Sequence, residues 1–264
     1  MSMTRLGVIG WPVDHSRSPA MHNAALAALG LDDWEFQLLP VRPEEFADSV
    51  GGLSDEGFRG ASVTIPHKEA AAQIVDRLSE RARAIGAVNT LIWEPNGELV
   101  GDNTDAPGFI ASLPAAPSAG STAMVMGAGG VAHAVVWALR DSGVEVKVWN
   151  RTTSRAEDLA ARFGAEAVES VEPATMLVNC TAAGLDGDPF ATLPILPEQL
   201  GDYDVVADVV YHGKPGPLLD AATAAGAATA DGMEMLVQQG VIAFQAWTGL
   251  DPPIGVMRAA AQAG

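Results

Sequence analysis

The chain has 264 residues, with 33 Asp and Glu against 15 Lys and Arg and a formal net charge of −18. That acidity argues against nucleic acid and anionic membrane as partners, and it means that any anion site must be built locally from positioned donors. Apolar residues make up 48% and charged residues 18%, a globular balance; no apolar run reaches the ~20 residues of a membrane helix, and the single cysteine, Cys180, excludes an internal disulfide and a Cys-rich metal site.

Short apolar runs alternate with helical stretches along the chain. "MSMTRLGVIG" runs straight into a strand with no signal-peptide layout, which predicts a cytoplasmic protein. "SPAMHNAALAALG" reads as a helix with Ser18 as N-cap, Pro19 at its first position and Gly30 at its end. "EFQLLPV" is a strand, "PEEFADSV" a helix with acids in its first turn, and "GASVTI" a strand. "PHKEAAAQIVDRLSERARAIG" reads as one long helix with Ile74, Leu78 and Ile85 on one side. "VNTLIWEPNGELVGDN" is a hairpin turning at Asn96-Gly97, and "DAPGFIASL" begins another helix. The uncharged "PAAPSAGS" at 114–121 is a connector. Beyond it the βα alternation is cleaner: strands "TAMVM", "VEVKVW", "MLVNC" and "VVADVVY" are separated by helices. "GMEMLVQQGVIAFQAW" is a final long helix whose apolar stripe runs through Met235, Val237 or Leu236, Val241 and Phe244. This order predicts an α/β protein of two lobes with parallel sheets covered by helices. Residues 1–104 form the first lobe and 105–231 the second, of Rossmann type, while 232–264 pack back on the first.

In the second lobe, "MVMGAGGVAHA" sets Gly127, Gly129 and Ala132 as G-x-G-x-x-A between a strand and a helix. In such a turn the first glycine permits a tight bend, the second admits a pyrophosphate, and the helix start supplies free N–H groups. The span Gly127, Ala128, Gly129, Gly130 and Val131 is the candidate dinucleotide cradle. Residues 105–231 hold 16 acidic and six basic side chains, yet two of the six, Arg151 and Arg155, fall in the hexapeptide "NRTTSR". The second strand of this fold ends near the adenosine ribose, where an acid suits a 2′-hydroxyl and a basic residue a 2′-phosphate. Asn150-Arg151-Thr152 stands there, with Arg155 four residues on, so the expected anion is the 2′-phosphate of NADP. Arginine's fork suits it.

In the first lobe, Ser16 and Ser18 straddle one residue of an extended loop, so both hydroxyls can face a carboxylate; Ser18 can equally be only a cap. "ASVTIPHK" puts Thr64 and Lys68 between a strand end and a helix start, and a first-turn lysine opposes the helix dipole. Asn89 lies in an apolar strand and needs partners there. Asp105 opens a helix, either as a cap or as a carboxylate that holds the charge of Lys68.

Nine segments in order, "HSRSP", "VTIPHK", "GAVNTL", "GDNTDAPG", "GAGG", "NRT", "NCTAAG", "DVVY" and "DGMEMLVQQ", resemble shikimate dehydrogenases across nearly the whole chain. The resemblance implies NADP-dependent reduction of 3-dehydroshikimate to shikimate in aromatic amino-acid biosynthesis. It implies Lys68 and Asp105 as the catalytic pair and Ser16 and Ser18 as the carboxylate site. Thr64, Asn89 and Asp105 would meet ring hydroxyls, and the family glutamine aligns with Gln239 rather than Gln238. Tyr211 would lie near the substrate, with Thr181, Val209, Gly232 and Met235 along the cofactor. The chain departs from the family pattern at Ser62, often Asn, at Ala132-His133, often Ser-Arg, and at Gly213 and Gly216. The expected partners are a small-molecule substrate and NADP, with no metal, nucleic acid or membrane, and the protein is a monomer or homodimer. Rival readings are a quinate/shikimate dehydrogenase using NAD, a non-catalytic NADP- or shikimate-binding relative, and a folate-type dehydrogenase on a similar plan.

Overall fold

The computed structural model describes residues 3–185, 187–211 and 216–263. Gly213 lies outside them. Twelve strands are described: β1 Thr4–Gly10, β2 Trp34–Pro40, β3 Phe58–Val63, β4 Arg77–Leu78, β5 Thr90–Trp93, β6 Leu99–Asp102, β7 Thr122–Met126, β8 Glu145–Trp149, β9 Glu166–Ala167, β10 Met176–Asn179, β11 Val205–Asp208 and β12 Ala228–Asp231. The α-helices are α1 Ser18–Ala28, α2 Phe46–Leu53, α3 Lys68–Ile74, α4 Glu80–Ile85, α5 Asp105–Ser112, α6 Gly130–Asp141, α7 Thr153–Phe163, α8 Pro217–Ala224, α9 Gly232–Thr248 and α10 Ile254–Ala263. The chain divides into two compact units. One runs to Thr104 and resumes at Gln239; the other is Asp105–Gln238. Residues 232–238, grouped from sequence with the C-terminal segment, fall in the second unit.

The first unit holds a six-stranded sheet ordered β2-β1-β3-β5-β6-β4. β1 pairs in parallel with β2 and β3, while β5 runs antiparallel to both β3 and β6. One face packs Phe46, Val50, Ala71 and Ala82 against Val63 and Leu91. Elsewhere in the unit, His22 of α1 stacks on Phe36 at 4.4 Å and meets Phe244 and Trp247 of α9. Trp247 Nε1–H donates to the Leu91 carbonyl at 2.9 Å, tying α9 to the sheet.

The single helix expected over 66–86 is two short helices with a strand between them. Val75 is extended, at φ −79° and ψ 148°. The Asp76 N–H donates to Leu99 O, and the Asp76 carboxylate accepts the Leu99 N–H. Arg77–Leu78 then pair in parallel with Val100–Gly101. Ser79 caps α4 by accepting from the Ala82 N–H at 3.1 Å. The exposed rim of β6 takes these backbone groups, and the ladder outweighs local helix propensity. Ile74, Leu78 and Ile85 still turn inward. The α9 stripe is also shifted: Met233, Met235, Val237, Ala243, Phe244 and Trp247 are buried, but Val241 and Leu236 are only half-buried.

The second unit's sheet is parallel throughout, ordered β12-β11-β10-β7-β8-β9. Phe109, Val135, Leu139 and Leu159 belong to one core and Leu177, Leu200, Leu218 and Leu219 to another. The order reverses direction between β7 and β10. In an open parallel sheet that switch point leaves a crevice beyond the strand ends, and ligands bind there.

Candidate active site

Backbone bonds gather the first unit's candidates at one end of its sheet. Thr64 N–H donates to Ile9 O at 2.9 Å, and the Thr64 carbonyl accepts from the His67 N–H. Lys68 is the first residue of α3, so the misfit with the dipole is real. Its carbonyl accepts the Val88 N–H at 2.8 Å, and Val63 N–H reaches Asn89 O at 2.7 Å. The half-buried Thr64 and Lys68 and the buried Asn89 are therefore held by one set of strand-end contacts. His67, buried beside Lys68, bonds Val41 O through Nε2 at 2.8 Å and stacks on Phe46 at 4.5 Å.

Asn89 has the partners that its burial demands. Its Oδ1 accepts from Thr104 N–H at 2.7 Å and from Thr90 Oγ1–H at 2.9 Å, and its Nδ2 donates to Thr104 Oγ1 at 3.0 Å. Gln239 joins this buried group through Oε1, which lies 3.4 Å from Thr104 Oγ1 and 3.5 Å from Asn89 Nδ2. Gln238 instead donates to Glu234 one helical turn back. In "GDNTDAPG" the sequence singles out only Asp105, and in "GAVNTL" only Asn89; Thr104 and Thr90 are the neighbours that the structure adds to the buried group.

The loop before Thr104 is clamped by Asp102, which takes Arg81 Nε at 2.7 Å, Ser79 Oγ and its own neighbour's Asn103 N–H. Burial opposes ionisation of Asp102, but hydrogen bonds from Arg81 and Ser79 and the guanidinium charge outweigh it and hold the carboxyl below its usual range.

Ser18 is not the N-cap of α1. Arg17 holds that place, no side chain caps the helix, and Ser18 lies in its first turn. Ser16 Oγ sits 3.3 Å from the Ser18 N–H, so a turn replaces the expected extended loop. The hydroxyl of Ser18 is thus not used as a cap. Asp105 opens α5 in the second unit and is buried.

The turn after β7 fits a dinucleotide. Gly127 has φ +110°, and a Cβ there would lie 2.9 Å from the Cys180 carbonyl carbon and oxygen, so the chain crossing at the switch point admits only glycine. Gly129 and Gly130 are exposed, and a Cβ on either would meet nothing within 4 Å; the open space there is outside the protein's own packing. Ala132 is fully buried, as close helix-on-strand packing requires, and α6 starts without a side-chain cap. Ala128 and Val131 are half-buried beside it. Thr181 Oγ1 donates to Asn179 Oδ1 at 2.7 Å and accepts from the Ala183 N–H, while Asn179 Nδ2 bonds Asp208. Burial, and then the Asp208 carboxylate, push the Cys180 thiol up, which leaves it inert.

A cavity of about 400 Å³ lies beyond β8 and β10, lined in part by Trp149, Asn150, Arg151, Thr181 and Asp188. Arg151 and Arg155 are exposed, Arg155 in the first turn of α7, where no acid stands. Thr152 is the N-cap of α7 and its carbonyl accepts from Asn150 Nδ2 at 2.9 Å. Arg155 does not line the cavity. Gly232 starts α9 against the chain after β11: a Cβ there would sit 2.4 Å from Val209 O and 2.8 Å from Val210 O. Tyr211 is half-buried, and Met235 belongs to the second unit's core. Among the described residues no cluster of His, Cys, Asp and Glu could hold a metal ion, and no helix is long and apolar enough to cross a membrane.

Comparison with known proteins agrees with this layout. The family model described as "Shikimate dehydrogenase substrate binding domain" matches residues 8–91. "Shikimate / quinate 5-dehydrogenase" matches 111–182, and "Shikimate 5'-dehydrogenase C-terminal domain" matches 232–262. Shikimate dehydrogenase (NADP(+)) of Methylobacterium radiotolerans is 47% identical, covering 95% of this chain and 93% of that protein. The Thermus thermophilus shikimate 5-dehydrogenase, solved with NADP(H) and shikimate, superposes with TM-score 0.89 at 40% identity over 99% of each chain. The ligand-free 5-ketofructose reductase of Gluconobacter sp. strain CHM43 superposes with TM-score 0.91 at 33% identity, covering 100% of this chain and 99% of that one. By sequence over nearly its full length and by fold in both units, the chain belongs to the shikimate dehydrogenase family.

Proposed function

We propose that the protein catalyses the reversible, NADP-dependent reduction of 3-dehydroshikimate to shikimate, a step toward aromatic amino acids. The observation that carries the reading is the set of strand-end bonds that holds Thr64, Lys68 and Asn89 at one end of the first unit. The chemistry that NADPH supplies when bound is hydride delivery to the ring carbonyl carbon. The carbonyl oxygen then needs a proton, and the Lys68 ammonium donates it; in the oxidative direction the neutral amine takes it back. Asp105 is the second member of the catalytic pair. Ser16 and Ser18 bind the carboxylate, while Thr64, Asn89, Asp105, Tyr211 and Gln239 bind ring oxygens.

Residues Gly127, Ala128, Gly129, Gly130 and Val131 hold the pyrophosphate through backbone N–H groups at the α6 start. Arg151 and Arg155 take the 2′-phosphate, with Asn150 and Thr152 shaping the loop. Thr181, Val209, Gly232 and Met235 line the nicotinamide side. A cytoplasmic location and a monomeric or homodimeric state complete the reading.

The test is a spectrophotometric assay of the purified protein with shikimate, quinate and 5-ketofructose, each with NADP(H) or NAD(H) in the matching direction. Turnover of shikimate with NADP, well above every other pair, is expected. The ketose reductase likeness is the rival with a specific observation behind it, the TM-score of 0.91. That sugar has no carboxylate for the serine pair, so Ser16→Ala with Ser18→Ala would spare ketose reduction and impair shikimate oxidation. Preference for 5-ketofructose, or binding of shikimate without turnover, overturns the proposal.

A further inference from the structure

We infer that Arg81 and Asp102 are positioning residues, whose ion pair fixes the point where the chain leaves the first unit and with it the backbone from which Asp105 follows. This rests on the catalytic role proposed above for Asp105; neither Arg81 nor Asp102 is given a contact with substrate or cofactor. An arginine–carboxylate fork stands at each end of β6. Just before its first residue, Arg77 Nε bonds Glu98 Oε1 at 3.0 Å, and the two side chains are 51% and 32% exposed. At its last residue, Arg81 bonds both oxygens of Asp102, Nε to Oδ1 at 2.7 Å and Nη2 to Oδ2, and these side chains are 31% and 12% exposed. An exposed pair is worth little, whereas taking one partner from a largely buried pair leaves the other uncompensated.

The chain beyond Asp102 is pinned residue by residue. The Asp102 carbonyl accepts the Asn89 N–H at 3.0 Å, Asn103 Nδ2 donates to Ala87 O at 3.0 Å, and the Thr104 N–H donates to Asn89 Oδ1 at 2.7 Å. Asp105 comes next and opens α5. Those bonds run to the segment 87–89, which leads into β5. Ser79 and Arg81 follow β4, and β5 and β4 flank β6 on opposite sides. Asp102 Oδ1 accepts the Ser79 hydroxyl as well as Arg81, and also the Asn103 N–H, so one carboxylate joins the α4 start to the chain leaving β6. Anchored on both sides, the backbone has no axis left to turn about. Loss of the fork frees Asp102 on the β4 side, and a shift there passes to Asp105 three residues on.

The test is a double-mutant cycle on kcat. Arg81→Gln, Asp105→Asn and the two together are assayed with shikimate and NADP, well below the Tm of each, beside Arg77→Gln as the control fork. Arg81→Gln is expected to lower kcat by about 10–10²-fold, the scale on which a misplacement of ~1 Å tells. Arg81→Lys, which keeps the charge but not the two-point grip, should lose less, and Arg77→Gln should match the wild type. In the Asp105→Asn background Arg81→Gln should cost little more, since the group that the fork positions is already gone. Should Arg81→Gln fail to fold, Arg81→Lys takes its place in the cycle with the same expectation at smaller amplitude. The inference is overturned by an unchanged kcat in the Arg81 variant, by an Arg77→Gln variant equally slow, or by a loss as large in the Asp105→Asn background as without it. Asp105→Asn on its own separates the two levels. Normal turnover in that variant refutes the catalytic reading, whereas a slow Asp105→Asn beside a normal Arg81→Gln refutes only the role of the fork.

Discussion

Lys68 shows how much one side chain's setting can carry. A lysine at the first position of a helix opposes the local dipole, and here its backbone carbonyl is held by the Val88 N–H. Lys68→Ala is expected to lower kcat by about 10²–10⁴-fold with little change in KM, as removal of a proton-transfer group does. Near-normal turnover would strip Lys68 of its role. Arg151, exposed at the rim of the 400 Å³ cavity, gives the matching cofactor test. Arg151→Ala should raise the KM for NADP while leaving that for NAD almost unmoved, and equal losses would refute the phosphate contact. Lys68, Asn89 and Arg151 were legible from sequence as candidates only, because each is out of place by a simple rule of charge or burial. Thr104 was not: threonine is unremarkable in a loop, and its place in the buried group with Asn89, Thr90 and Gln239, the last 135 positions away, shows only in the fold.

At the level of elements, the aromatic stack around His22 joins α1, β2 and α9. Among the described residues neither ring nitrogen of His22 has a hydrogen-bond partner, and burial lowers its pKa from 6.5 to about 3. The folded protein therefore keeps the ring neutral where the unfolded chain already binds a proton. Stability from this site is complete above pH ~6.5 and is lost as the pH falls from there toward about 3. The wild-type Tm should drop through that window by more than the Tm of His22→Leu, which has nothing to protonate; parallel profiles would contradict the assignment. The β5–β6 hairpin was readable from its turn chemistry, although the turn, closed by Gly97 N–H to Glu94 O, centres on Pro95-Asn96 rather than on Asn96-Gly97; the parallel βα units of the second half were readable from their alternating runs. The break at Val75–Ser79 was not, since Arg77 and Leu78 become a strand only because β6 offers them a ladder.

For the molecule as a whole, net charge −18 sets the background against which an anion site must work. The second unit answers it with a helix start free of acids and two exposed arginines. Its Rossmann-type order was legible because each strand and helix is local in sequence. The first unit was less so, because Phe244, Trp247 and Met257 complete a core that begins at Leu6. A fragment ending at Thr104 is therefore expected to lack fixed near-UV dichroism and to bind ANS, whereas the full chain shows neither defect. A rigid tertiary spectrum from the fragment alone would disprove this.

Helix α9 begins in one compact unit and ends in the other. On the ribosome this imposes a waiting time. Strands β1 to β6 are synthesised early, but Trp247, which donates to Leu91, follows after more than a hundred further residues, on the order of ten seconds of elongation. During that interval the nascent first unit carries apolar surface with no intramolecular cover, while Asp105–Gln238 can collapse on its own. The enzyme's substrate half is thus finished last although it is begun first, and it is the half that a holdase chaperone would guard.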